Sequence, residues 1–146
     1  MIDSTNTLRF ACLDPNVIHP TRKHPTDAGV DIYANETVVI PPFSAARVRT
    51  GLTFEVRSDF MLLAKAKSGS DFLLGAGVID PGYQGEILIK VINYTPSPLT
   101  IQKGDPLAQL VQVAILTDPL EESEPQKLHS RPSTRGADGG IARQGS

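Results

Sequence analysis

Tryptophan is absent, cysteine occurs once, and only 5% of the 146 residues are aromatic. A single cysteine excludes an internal disulfide, so no cross-link supplements the core. Cys12 alternates with Leu8 and Phe10 and reads as a buried small hydrophobe. No charge of one sign dominates: 14 Lys+Arg against 16 Asp+Glu leave a net −2, which excludes the basic footprint of nucleic-acid binding. No hydrophobic run approaches the ~20 residues of a membrane span, and no N-terminal apolar stretch resembles a signal peptide. The expectation is a cytoplasmic protein with no nucleic-acid and no membrane partner. Helical patterns are missing too, since no segment keeps helical spacing over three turns free of breakers.

What is present is glycine and proline, 12 of each, and period-two alternation in a chain of single-domain length. Leu8, Phe10 and Cys12 form a first strand. Asp14-Pro15, His19-Pro20 and His24-Pro25 then punctuate a loop, because a residue before proline is pushed out of the helical region. His19 and His24 have no convergent ligands in sequence, so no metal site is expected of them. Short strands follow at Val30–Ala34 and Thr37–Ile40. Ala46, Val48, Leu52, Phe54 and Val56 share one face and read as one half-buried antiparallel strand. Further strands are expected at Phe60–Ala64, Ile87–Ile92, Leu99–Ile101 and Leu107–Leu116. Many short strands divided by turns specify an all-β sandwich, jelly roll or barrel. From Asp118 the composition turns polar and Gly/Pro-rich, too poor in apolar residues to order itself. The chain thus divides into a β domain, residues 1–117, and a flexible C-terminal arm, residues 118–146.

The informative stretch is Gly77–Ile87, GVIDPGYQGEI. An apolar approach delivers Asp80 onto a Pro81-Gly82 turn, Pro presetting φ and Gly accepting positive φ. Tyr83 follows, then a strand. The expectation is a β-hairpin with an acid and a ring at its tip, able to cover a sugar and orient a water. Near the end, residues 135–140 (RGADGG) offer backbone amides unobstructed by side chains, which suits phosphate oxygens.

Five blocks stand in order: AGVDIYA (28–34), KSG (67–69), GVIDPGYQGEI (77–87), GDPLAQL (104–110) and RGADGGIARQG (135–145). Together they resemble the trimeric deoxyuridine triphosphatase (dUTPase) family, from about residue 7 to the C-terminus. The resemblance implies a distorted jelly-roll, β-clip-like barrel and a homotrimer whose subunits share active sites. It implies hydrolysis of dUTP to dUMP and pyrophosphate, which limits uracil in DNA and supplies dUMP for dTMP synthesis. Asp31 would help hold Mg²⁺ through water. Lys67, Ser68 and Gly69 would contact phosphates. Leu74, Val78, Ile79 and Leu88 would line the nucleoside pocket, with Tyr83 under the deoxyribose. Asp80 would orient the water that attacks the α-phosphorus, and Gln109 would sit beside that water. Arg135, Gly139 and Gly140 would bind phosphates, and Ile141 would cover the base.

This chain departs from the family in places. Lys67 stands where Arg is usual, and the two are not interchangeable on phosphates. The interval from Ser68 to Asp80 is short, which moves the uracil-reading position onto Leu74, with only its backbone to offer. Ile141 replaces a Phe, and an extra residue near Ala137-Asp138 leaves Arg131 as an alternative to Arg135. Two other readings follow from these changes. A catalytically weak relative acting as nucleotide sensor or protein-binding module would tolerate Lys67 and Ile141. A dCTP deaminase, similar in fold, would need a Glu ten residues past Asp80, where this chain has Lys90.

Overall fold

The computed structural model describes residues 6–67, 70, 72–75 and 77–129. Among these residues eleven strands form in order: β1 (Arg9–Cys12), β2 (Gly29–Tyr33), β3 (Val38–Ile40), β4 (Ala45–Arg49), β5 (Leu52–Glu55), β6 (Phe60–Lys65), β7 (Leu73–Leu74), β8 (Gly77–Ile79), β9 (Leu88–Ile92), β10 (Leu99–Ile101) and β11 (Pro106–Ala114). They pair antiparallel in four sheets: β2-β11-β6-β8, β4-β9-β7, β1-β5 and β10-β3. The architecture is all-β and jelly-roll-like. A separate unit begins at Thr117; its described part holds one helical turn, α1 (Pro125–Leu128), which buries no residue.

Period-two alternation builds one core from several sheets. Ile32 of β2, Ile40 of β3, Val48 of β4, Leu52 of β5, Leu62 of β6, Val91 of β9 and Leu110 of β11 are all essentially inaccessible. Burying such side chains contributes about 1.5–3 kcal/mol each. Two polar residues join them with partners in place. Asn93 donates to the carbonyls of Ile40 (3.1 Å), Pro41 (3.2 Å) and Ser97 (2.8 Å) and accepts from Thr95. Thr50 Oγ1 donates to the Ile87 carbonyl at 2.7 Å.

Three expectations are corrected. The stretch from Ala46 to Val56 is two strands, because Gly51 takes φ +71° and sends β4 to β9 and β5 to β1. Added at Gly51, a Cβ would come within 2.7 Å of Val17 and 2.8 Å of Asn35. The Asp80 turn is not a hairpin tip: β8 pairs with β6, whereas β9 pairs with β4 and β7. Alternation reveals a face, not a partner, and here the turn carries the chain from one sheet to another. Cys12 is exposed, since β1 is the outer strand of a two-stranded sheet and all four of its residues face solvent.

Candidate functional site

The crossing between β8 and β9 is held by its own hydrogen bonds. Tyr83 N–H donates to the Asp80 carbonyl at 3.0 Å, closing a four-residue turn. Gly82 does not use positive φ; among the described glycines, Gly51 and Gly104 do. The turn therefore closes on Pro81's fixed φ without a left-handed residue, which corrects the expectation for Gly82. Tyr83 Oη then donates to the Glu86 carbonyl at 2.5 Å. Gly85 makes room for this bond, because a Cβ there would lie 2.7 Å from Tyr83 Oη.

Beside this turn is a cleft of about 330 Å³, at the lower end of small-ligand pockets. Leu74, Val78, Ile79, Asp80, Tyr83 and Leu88 all line it, so the structure brings the sequence-derived nucleoside residues together. Glu86, Arg47 and Lys90 line it as well. Arg47 and Lys90 are paired across β4 and β9 and add two cations to the cleft lining.

A second group lies on the sheet that also carries β8. Asp31, Gln109 and Lys65 stand in one lateral row across β2, β11 and β6. Lys67 Nζ reaches back to Asp31 Oδ2 at 2.8 Å. Gln109 Nε2 donates to the Ala66 carbonyl at 3.3 Å, and its side chain fills the space a Cβ on Gly29 would take. Ala64, next to Lys65 in β6, lines the cleft, but Asp80 lies further along that strand from the row. The β6–β8 register pairs Leu62 with Ile79, so Asp80 falls opposite Met61. From Met61 to Lys65 is four steps, roughly 13 Å at 3.3 Å per residue, and Lys67 lies beyond. Ser68, Gly69, Arg131, Arg135, Gly139, Gly140 and Ile141 fall outside the described residues.

Sequence reasoning missed one cluster. Arg49, closing β4, donates through Nη2 to Asp14 Oδ2 (2.7 Å) and through Nε to Glu86 Oε2 (3.2 Å). Glu86 Oε2 also accepts from Gly51 N–H at 2.9 Å, and Asp14 Oδ2 from Asn35 Nδ2 at 3.0 Å. The Asp14 hydrogen bond first, then Glu86, raise the Arg49 pKa above its already high value. These partners are far apart in sequence, so no local pattern announces them.

Among the described residues, no three His, Cys, Asp or Glu side chains converge. Asp31, one partly covered carboxylate, suits the few protein contacts Mg²⁺ takes when it keeps its waters.

Fold and site together define a jelly-roll-like β protein with a small-ligand cleft under a cross-sheet acid–tyrosine turn. The dUTPase family model matches residues 15–145. The deoxyuridine 5′-triphosphate nucleotidohydrolases of Mycobacterium marinum and Mycobacterium tuberculosis are each 37% identical, over 97% of this chain and 96% of theirs. The Staphylococcus bacteriophage 80alpha dUTPase aligns with TM-score 0.76 at 30% identity, over 82% of this chain and 97% of its own. A variant of that phage enzyme with dUpNHpp gives TM-score 0.84 at 28% identity, over 97% and 100%. The chain belongs to the dUTPase family.

Proposed function

We propose that this protein is a dUTP diphosphatase, hydrolysing dUTP to dUMP and pyrophosphate. The observation that carries the reading is the convergence of Leu74, Val78, Ile79, Asp80, Tyr83 and Leu88 on one cleft. It is supported by the dUpNHpp complex of the phage 80alpha relative.

In this reading, backbone groups at Leu74 and the Val78–Ile79 strand read the base, and Tyr83 packs on the deoxyribose. A ring at C2′ leaves a 2′-hydroxyl without room or partner. Asp80 orients a water and takes its proton as the water oxygen bonds to the α-phosphorus. The bond from that phosphorus to the bridging oxygen breaks, and pyrophosphate leaves. Lys67, Ser68 and Gly69 spread the phosphate charge, and Gln109 sits beside the water. Arg135, or Arg131 in its place, and the Gly139 and Gly140 amides are assigned to phosphates, and Ile141 to the base, on the sequence of the arm.

Bound Mg²⁺ would neutralise phosphate oxygens and fix the triphosphate's conformation, with Asp31 as its protein contact through water. A structural Mg(II) ion is described for the dUTPase of Staphylococcus aureus phage phi11.

A homotrimer is the assembly assigned here from the family, and the spacing of Asp80 from Lys67 along β6 leaves room for a site shared between subunits. One nucleotide meets both groups if the cleft of one subunit faces the Asp31–Lys67 row of another. No described helix is long and apolar enough to cross a membrane. A cytoplasmic setting suits a chain whose one cysteine has no partner.

The test is product identification with dUTP, dCTP, dTTP and UTP plus Mg²⁺. Pyrophosphate and dUMP from dUTP alone are expected. Ammonia from dCTP would install the deaminase instead, and no turnover would favour the sensor reading.

A further inference from the structure

We propose that Arg49 is a positioning residue for the sugar-reading ring: by clamping Glu86 it fixes the Tyr83–Glu86 turn, and with it the discrimination between 2′-deoxy and 2′-hydroxy nucleotides. The inference rests on the dUTPase reading of the cleft and adds to it a residue outside that cleft's lining.

Glu86 is held at both ends. Its backbone carbonyl receives Tyr83 Oη at 2.5 Å. Its carboxylate, the most covered of the cluster at 19% exposure, receives Arg49 Nε and Gly51 N–H. The next residue is fixed to the core, Ile87 N–H on the Leu52 carbonyl at 2.8 Å and Ile87 carbonyl on Thr50 Oγ1. Between Tyr83 and Glu86, the described side-chain ties to the rest of the chain are Thr53 Oγ1 on the Gln84 carbonyl (3.2 Å) and this Glu86 carboxylate. The ring is therefore tied to the Glu86–Ile87 peptide, which the Leu52 carbonyl holds on one side and the Glu86 carboxylate on the other.

Arg49 does more than pair with Glu86, because the same guanidinium also holds Asp14 at 2.7 Å. Two carboxylates converge on one cation. Without it the two acids repel, and Glu86 keeps Gly51 N–H as its one remaining described side-chain partner. A planar fork serves both acids at once; a lysine ammonium on a flexible stem does not offer that geometry. Arg49 and Asp14 are about 40% exposed, 42% and 38%. Pairs so open to solvent contribute little net stability, so the clamp acts on placement more than on folding.

The experiment compares wild type, Arg49→Met, Arg49→Lys and Glu86→Gln in three measurements. These are kcat/KM for dUTP and for UTP, calorimetric binding of dUMP and of UMP, and the melting temperature. The expected result is a dUTP:UTP ratio about tenfold lower in Arg49→Met. It comes through a raised KM for dUTP and relatively better UTP use, with a matching loss in the dUMP:UMP affinity ratio. Arg49→Lys falls between Met and wild type, and Glu86→Gln shifts in the same direction. If Arg49→Met does not fold, the other two variants carry the test. A melting temperature that drops while both ratios stay within about twofold of wild type overturns the proposal and leaves the clamp purely structural. If wild type does not turn over dUTP, the function reading fails on its own. The dUMP:UMP affinity ratio then still decides whether the clamp sets the cleft.

Discussion

Lys67 Nζ lies 2.8 Å from Asp31 Oδ2, joining the segment after β6 to β2 beside Gln109. The pair places a compact cation where a triphosphate and its metal are expected, and an ammonium meets phosphate as a point charge. Lys67→Ala should lower kcat/KM for dUTP at least about tenfold, a loss of ~1.4 kcal/mol, and Lys67→Arg should restore most of it. Steady-state kinetics checks this. An unchanged kcat/KM in Lys67→Ala would detach the row from the substrate.

Gly85 and Tyr83 form the second relationship open to test. A methyl at Gly85 lies 2.7 Å from Tyr83 Oη and 2.9 Å from the ring carbon bearing it, so the ring must turn away. Gly85→Ala and Tyr83→Ala should both raise UTP use relative to dUTP, by roughly tenfold in the latter. If dUTP:UTP competition assays gave the wild-type ratio in both, discrimination would lie elsewhere.

Much of the fold is legible in the sequence, for a physical reason. A buried face and a solvated face force alternation, and turn residues punctuate it, so β10 appears at Leu99–Ile101 as read. Partners are another matter. Nothing in the residues around Gly51 says that β4 and β5 leave for different sheets, or that β8 and β9 do not pair. Cys12 alternates like a core residue, yet all four residues of its strand are exposed among the described residues. The cleft residues were legible because Asp80, Tyr83 and their neighbours sit within one short block. Arg49 was not, since Asp14 and Glu86 reach it from 35 and 37 residues away.

Asn93 is the polar keystone between β3, β9 and the turn after it. Asn93→Ala leaves the Ile40, Pro41 and Ser97 carbonyls without this donor, and an unsatisfied buried group costs about 1–3 kcal/mol. Urea unfolding at fixed protein concentration should show a loss in that range, with the dUTP:UTP ratio unchanged. A loss near zero would mean that water replaces the amide.

Shared sites predict complementation. Asp80→Asn should lower kcat well over tenfold while nucleotide still binds, because the amide keeps the shape and loses the charge that orients water. Lys67→Ala carries its defect on the other row. Mixed and re-equilibrated, the two variants should regain activity, since some assemblies then join an intact cleft to an intact row. Light scattering should give a trimer. No recovery on mixing, with a monomer in solution, would contradict the shared site.

The most direct test of the account follows the oxygen. Hydrolysis of dUTP in ¹⁸O-labelled water, with products read by mass spectrometry, reports which phosphorus the water attacks. The Asp80-oriented water predicts one labelled oxygen in dUMP and none in pyrophosphate. Label in pyrophosphate, or release of ammonia in place of pyrophosphate, would contradict it.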